Sequence, residues 1–183
     1  MNKKYILTDE SKDYCGVTLY RIQYVIDIPK YDIKAGDSGG WSEKEENLCQ
    51  DGNCAVTGDA HVYGDARVYD NAHVYGDAKI YDNVEIYDNA RVYDDAQVSG
   101  NACVYDSAHV YGNAQVSGNA CVYDSARVYD NAIICDDTEI YDNAQVYGNA
   151  HVCNNACVYD NARLYGEAQI FDDTEVCDDT ELR

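Results

Sequence analysis

From Cys54 onward, apolar and polar positions recur in a six-residue unit, small–x–Val/Ile–Tyr–Gly/Asp–Asn/Asp, as in Ala66-Arg-Val-Tyr-Asp-Asn71 and Ala144-Gln-Val-Tyr-Gly-Asn149. Unit starts run from residue 54 to residue 180, making 22 units without an insertion or deletion. Within a unit the small residue and the Val/Ile lie two apart and share a face, while x and Tyr point the other way. Gly, Asp and Asn then supply a corner, because they tolerate or locally satisfy a bent backbone. Each unit predicts a short strand plus a corner.

A second period sets how many corners close a coil. Val84-Glu-Ile-Tyr-Asp-Asn, Ala102-Cys-Val-Tyr-Asp-Ser, Ala120-Cys-Val-Tyr-Asp-Ser and Thr138-Glu-Ile-Tyr-Asp-Asn recur every 18 residues and resemble one another more than their neighbours. The x positions sort the same way, giving Arg67, Glu85, Cys103, Cys121, Glu139, Cys157 and Glu175 in one column, and His73, Arg91, His109, Arg127, Gln145 and Arg163 in the next. Three units per coil predict an all-β, three-sided parallel β-helix over residues 54–183. It should have about seven coils, stacked about 4.8 Å apart into a rod about 34 Å long.

Residues 1–53 read as an N-terminal β cap, since solenoids expose strand edges that need covering. Tyr20, Ile22, Tyr24, Ile26 and Ile28 alternate with polar residues as in an amphipathic strand, with Tyr5–Thr8 as a pairing segment. A loop follows over Ile33–Trp41, with Trp41 expected to plug the first coil.

The hexads resemble the hexapeptide-repeat superfamily, whose repeats wind as left-handed parallel β-helices. The resemblance covers residues 54–183 and implies a left-handed coil, against the ordinary right-handed crossover preference. This chain departs from that family in placing Tyr after the aliphatic residue, where Gly is common. The KAGDSGGW stretch, the Glu-rich link and the hexads together resemble uncharacterised proteins encoded by phages and prophages, which implies an origin more than an activity.

Composition alters the picture mainly through charge. The chain has 13 Lys+Arg against 34 Asp+Glu, a net charge of −21, which argues against direct binding to nucleic acid or to an anionic membrane and favours a basic partner or simple solubility. No apolar run is long enough for a transmembrane helix, and the start turns acidic before a signal-peptide core develops. The 9 Cys are then expected as reduced thiols in the cytoplasm of an infected or lysogenic bacterial host.

Several motifs carry less chemistry than they suggest. Gly36-Asp-Ser-Gly-Gly40 matches the nucleophile stretch of trypsin-like proteases only locally, and a glycine turn accounts for it. An acyltransferase of the hexapeptide kind would need a catalytic His and loops that build a pocket. Here His61, His73, His109 and His151 all fall at outward x positions, and no loop interrupts the units. The Cys columns, Cys103 with Cys121 and Cys135 with Cys153, read as spacers. Parallel side chains on a flat face should not converge on a metal ion, and parallel Cβ vectors in a reducing compartment count against a disulfide. No catalytic residue, metal or cofactor is expected.

The outward columns are stronger signals. Tyr69, Tyr87, Tyr105, Tyr123, Tyr141 and Tyr159 form one ladder and Tyr75, Tyr93, Tyr111, Tyr129, Tyr147 and Tyr165 another. The third column is interrupted: Tyr63, Tyr81, Ser99, Ser117, Cys135, Cys153, Phe171. Stacking between coils explains most of this, and outward aromatic stripes also make a partner surface. One corner column reads Asp70, Asp88, Asp106, Asp124, Asp142, Asp160 and Asp178 without exception. Stacked carboxylates about 4.8 Å apart repel by about 0.9 kcal/mol per pair even in water, a cost that Asn would remove, although turn chemistry, solubility or defence of exposed edges by charge also accounts for Asp there.

Residues 1–53 hold 7 Lys+Arg and 10 Asp+Glu, leaving 6 and 24 for the repeat, a net charge of −18. Over the rod this is one charge per roughly 1.9 Å, against one per about 1.7 Å for duplex DNA. The expectation is a non-enzymatic mimic of nucleic acid. Through the Asp70–Asp178 column and the Tyr69–Tyr159 ladder it would block the basic channel of a host defence enzyme, as an anti-CRISPR or anti-restriction inhibitor does. A structural or self-assembling solenoid and an acyltransferase are the alternatives. The abrupt C-terminal coil points to a homodimer through that end.

Overall fold

The computed structural model describes residues 3–183. Two long strands, β1 (Tyr5–Tyr14) and β2 (Val17–Tyr24), form an antiparallel hairpin, and β2 pairs antiparallel with β3 (Ser38–Ser42). Twenty-two two-residue strands follow, from β4 (Ala55–Val56) to β25 (Glu181–Leu182). Each pairs in parallel with the strand one coil away, Cys103 beside Cys121 and Val104 beside Val122. They sort into three sheets of 10, 8 and 7 strands, the sides of a three-sided solenoid of about eight coils. The faces are named below after His61, Arg91 and Glu85.

The six-residue unit explains this winding. Its first and third residues, such as Ala102 and Val104, point inward and are fully buried from Cys54 to Leu164. The fifth residue turns the corner in the left-handed region, Asp106 at φ 55° and Gly118 at φ 74°, which restricts it to Gly, Asp and Asn. Main-chain hydrogen bonds run between coils, Cys103 N–H to Ala120 O at 2.9 Å and Ser107 N–H to Asp124 O at 2.8 Å. Thr138, a fully buried polar side chain at an inward position, donates to Cys135 O at 2.7 Å.

Parallel winding begins before Cys54. Trp41 pairs with His61 and Leu48 bridges Val68, both in parallel, so residues 38–53 trace a turn ahead of the first hexad. This added turn raises the coil number above the seven expected from the hexads.

The lid over the core differs from expectation. Trp41 is not the plug: in register with His61, it lies on the outward side. There its indole N–H donates to Asp59 at 2.6 Å and Lys12 lies 4.1 Å from its ring. Tyr24 closes the core instead, fully buried with Tyr5, Ile22, Ile28 and Leu48. Its hydroxyl accepts Val56 N–H at 2.8 Å and donates to Val56 O at 3.0 Å. Gly39 and Gly40 make this approach feasible, because a Cβ on Gly39 would lie 2.7 Å from Val56 O and one on Gly40 2.6 Å from Ala60 O. The Gly-Gly pair is thus part of a strand rather than a loop, and Gly36 at φ 100° makes the turn. Asp37 caps that turn by accepting Lys34 N–H at 2.7 Å. The expected five-residue alternation also breaks. Register shifts between Arg21 and Gln23, the strand stops at Tyr24, and Tyr20 and Ile26 are left exposed. A bulge changes which side chains face inward.

Two histidines expected outside are covered by the cap. Tyr14 packs 4.4 Å from His61, which is 6% exposed with both ring nitrogens lacking a partner, and Tyr31 stacks 4.2 Å from His73. Burial pushes both imidazoles down to about 4, with the Lys12 charge adding at His61 and the Arg91 charge at His73. The unfolded chain, with ordinary rings near about 6.5, binds these protons first. Their contribution is therefore full above pH 6.5 and lost as pH falls from about 6.5 to about 4. His61→Leu is expected to remove its share of that acid loss, on the order of 2 kcal/mol. Melting temperatures of both proteins at pH 7 and pH 4.5 check this.

Candidate functional site

The six tyrosines of the Tyr69 ladder stack with centroids 4.9–5.0 Å apart and planes within 5° of parallel. Parallel coils at identical register place each ring over the next. The Glu85 face supplies acceptors beside them: Tyr69 donates to Glu85 at 3.2 Å, Tyr123 to Glu139 at 3.0 Å and Tyr159 to Glu175 at 3.2 Å. Burial, reinforced by neighbouring carboxylates and thiols, pushes the Tyr87 and Tyr105 hydroxyls up to about 12. The ladder therefore stays protonated.

The aspartate column runs along the adjoining corner between the Glu85 and Arg91 faces. Asp88 through Asp160 are half-buried, while the following Asn89, Ser107, Ser125 and Asn143 are the outermost groups. Three of the seven carboxylates have a local partner that the sequence did not reveal. Asp124 accepts the amide of Asp142 at 3.5 Å, Asp142 that of Asp160 at 3.3 Å, and Asp160 that of Asp178 at 3.2 Å. These amides lie at corners where no main-chain acceptor reaches, and the bonds offset part of the repulsion between stacked carboxylates. Asp82 and Asp94 do the same at other corners, accepting Gly100 N–H at 3.0 Å and Gly112 N–H at 3.3 Å. Corner satisfaction alone therefore does not explain why one column is uniformly Asp.

Charge is sorted by face. Glu85, Glu139 and Glu175 stand beside the aspartate column, with Arg67 at its head. Arg91, Arg127 and Arg163 share another face, interleaved with His73, His109 and Gln145. Among the described residues, the ion pairs leave the column untouched; five of the six hold the cap or join it to the first coils. At the head of the strip, cap and repeat enclose an open cleft of about 720 Å³ lined by Glu45, Glu46, Asp51, Tyr69, Asp70 and Glu85, with Arg67 among them.

Other candidate groups fall elsewhere. His109 lies on the Arg91 face, where burial and the flanking Arg91 and Arg127 hold it below the ordinary imidazole range. Cys103 and Cys121 stand side by side on the Glu85 face, and the neighbouring Cys121 thiol holds Cys103 below the ordinary thiol range. Cys135 and Cys153 depart from the spacer role and the reduced state read from the sequence. They form a disulfide between adjacent coils, with Cα atoms 4.6 Å apart. Side-chain rotation about near-parallel Cβ vectors suffices to bring two sulfurs together at this spacing. His151 joins them, its Nε2 3.9 Å from the Cys135 sulfur, so ligand types do converge on a flat face.

No helix among the described residues is long and apolar enough to cross a membrane. Residues 60–76, 96–112 and 114–130 match the family model described as the YdcK beta solenoid repeat. All three matches start at the first position of a unit on the His61 face and run nearly one full coil, so the family's repeat and the structural coil share a register. No curated protein matches the chain.

Proposed function

For a β-solenoid repeat protein with this distribution of charge, we propose a non-enzymatic role as a nucleic-acid mimic that occupies a basic channel of a nucleic-acid-binding protein. The observation that carries this reading is the unneutralised strip in which Asp70, Asp88, Asp106, Asp124, Asp142, Asp160 and Asp178 run at one-coil spacing beside six stacked tyrosines. A regular file of anions flanked by flat aromatic faces offers a basic groove the contacts that phosphates and bases offer, and binding would release counterions in the same way. The acidic cleft at the strip's head suits an inserted Lys or Arg side chain.

The partner class is a basic nucleic-acid enzyme of a bacterial host, with a CRISPR effector or a restriction enzyme as the leading candidates. The protein would act there in the cytoplasm as a phage-type inhibitor.

The test is capture of nucleic-acid-binding proteins from a bacterial lysate in low and high salt, with duplex DNA as competitor. Captured partners are expected to be displaced by DNA and by salt. Changing Asp106, Asp124 and Asp142 together to Asn should abolish capture with stability shifted by no more than about 1 kcal/mol. Asn154 already holds the same corner position at φ 66°. Capture that survives the triple change would remove the column from the contact.

A further inference from the structure

The tyrosine ladder of the His61 face is broken where three metal-ligand side chains meet. Its fourth-position column passes from Tyr63 and Tyr81 through Ser99 and Ser117 to Cys135, Cys153 and Phe171. The sulfurs of Cys135 and Cys153 and a ring nitrogen of His151 lie within 4.8 Å of one another. The geometry points to a redox-gated site for one zinc-class ion on Cys135, His151 and Cys153, on a face separate from the acidic strip.

Three features fit such an ion. Two thiolates and an imidazole form a donor set that zinc takes, with a fourth tetrahedral position left for water. Zinc–sulfur bonds of about 2.3 Å at a tetrahedral angle hold two sulfurs about 3.8 Å apart. Parallel strands with Cα atoms 4.6 Å apart can present that separation once the sulfurs are unbonded. The surroundings are also unusual for this rod. Ile133 pairs with His151 in the coil before, and Phe171 packs edge-on 5.4 Å from the His151 ring in the coil after. This apolar bracket orients the imidazole and lowers the local dielectric around the ion. Cys153 is already buried at 4% exposure. The other cluster of ligand types, Asp160, Cys177 and Asp178, has a single sulfur and a more exposed setting.

Two states then compete for the same sulfurs. In the reduced state both thiols give their protons to solvent as the ion binds. In the oxidised state a disulfide such as oxidised glutathione accepts the two electrons. One cysteine thiolate attacks it and releases a small thiolate, and the second cysteine then attacks the mixed disulfide and releases the other. The resulting Cys135–Cys153 bond links two coils and leaves no thiolate for the ion.

The experiment uses the full chain, reduced with a phosphine and separately oxidised with glutathione disulfide, and titrated with Zn2+ and with Co2+. The reduced protein is expected to bind one ion at this site with a thiolate-to-cobalt absorption band, and the oxidised protein none there. Cys135→Ser or Cys153→Ser should weaken binding at least about 100-fold, and His151→Ala by about 10–100-fold. Ser99 and Ser117 occupy the same column, so the serine variants keep a side chain the coil already accommodates. Their circular dichroism should match the parent. Cys103→Ser with Cys121→Ser should leave the band in place. The assignment is overturned if the band disappears with the Cys103/Cys121 pair, if it survives Cys135→Ser, or if the reduced protein binds no ion.

Discussion

Replacing Tyr24 by Ala is expected to cost about 3–5 kcal/mol, the range for removing a buried aromatic. The side chain is fully buried across the mouth of the first coil, and its hydroxyl is the partner of both Val56 N–H and Val56 O. Deletion therefore removes packing and orphans two main-chain groups together. Tyr24→Phe separates the terms: the ring stays, the two groups lose their partner, and the loss should be about 1–3 kcal/mol. Solenoid coils contact only their neighbours, so the damage should start at the N-terminal end. Hydrogen exchange is the decisive readout, with faster exchange at Val56, Val62 and Val68 and little change near Val146. Uniform acceleration along the rod would show that the coils melt as one unit and that Tyr24 is no local lid.

Removing one hexad should separate the ordered acidic strip from the aromatic ladder and from the total charge. Excision of residues 108–113 takes out no Asp, Glu, Lys or Arg and leaves the net charge at −21. Every later unit rotates by one face, yet inward positions still receive Ala and Val or Ile, so the core closes as before. The corner after the Glu85 face then reads Asp70, Asp88, Asp106, Asp130, Gly148 and Gly166, while its tyrosines continue as Tyr105, Tyr129, Tyr147 and Tyr165. Aromatic ladder and total charge are kept, while the file of carboxylates is cut and Arg127, Gln145 and Arg163 come to stand beside it in place of Glu139 and Glu175. Partner capture should fall by about 10-fold or more, the scale expected when several charge contacts are lost, with the melting temperature within a few degrees of the parent. Excision of residues 108–125, one whole coil, restores the column and should restore most of the capture. Equal capture by the two deletions would mean that charge acts without order, and the mimic reading would fall.

The repeat was legible because each unit makes the same local choice many times over. Alternation placed Ala102 and Val104 inside, the 18-residue period stacked Tyr87 on Tyr105, and turn chemistry put Asp106 at a corner. The cap was less legible, since it is a single non-repeating arrangement. Its strand pair was visible in Tyr5–Thr8 and Tyr20–Ile28, but the bulge at Arg21–Gln23 changed which residues face inward. Trp41 drew attention by its size, whereas Tyr24 does the closing because Gly39 and Gly40 leave room above Val56. At the candidate site the columns were readable and their hydrogen bonds were not. No pattern in the chain announces that Asp142 accepts the amide of Asp160, since that depends on how far a corner carboxylate reaches toward the next coil.

The amino-acid sequence by itself determined the three-sided parallel coil and the membership of each outward column, because side-chain alternation and corner geometry are local and periodic. Only the tertiary structure decided what covers His61 and His73, where parallel winding begins, and that Cys135, Cys153 and His151 meet. Those outcomes depend on one segment folding back over another, and on rotamers chosen between coils. The cap contacts join residues whose spacing in the chain follows no period, and the 18-residue period that sets Cys135 beside Cys153 does not fix which way their side chains turn.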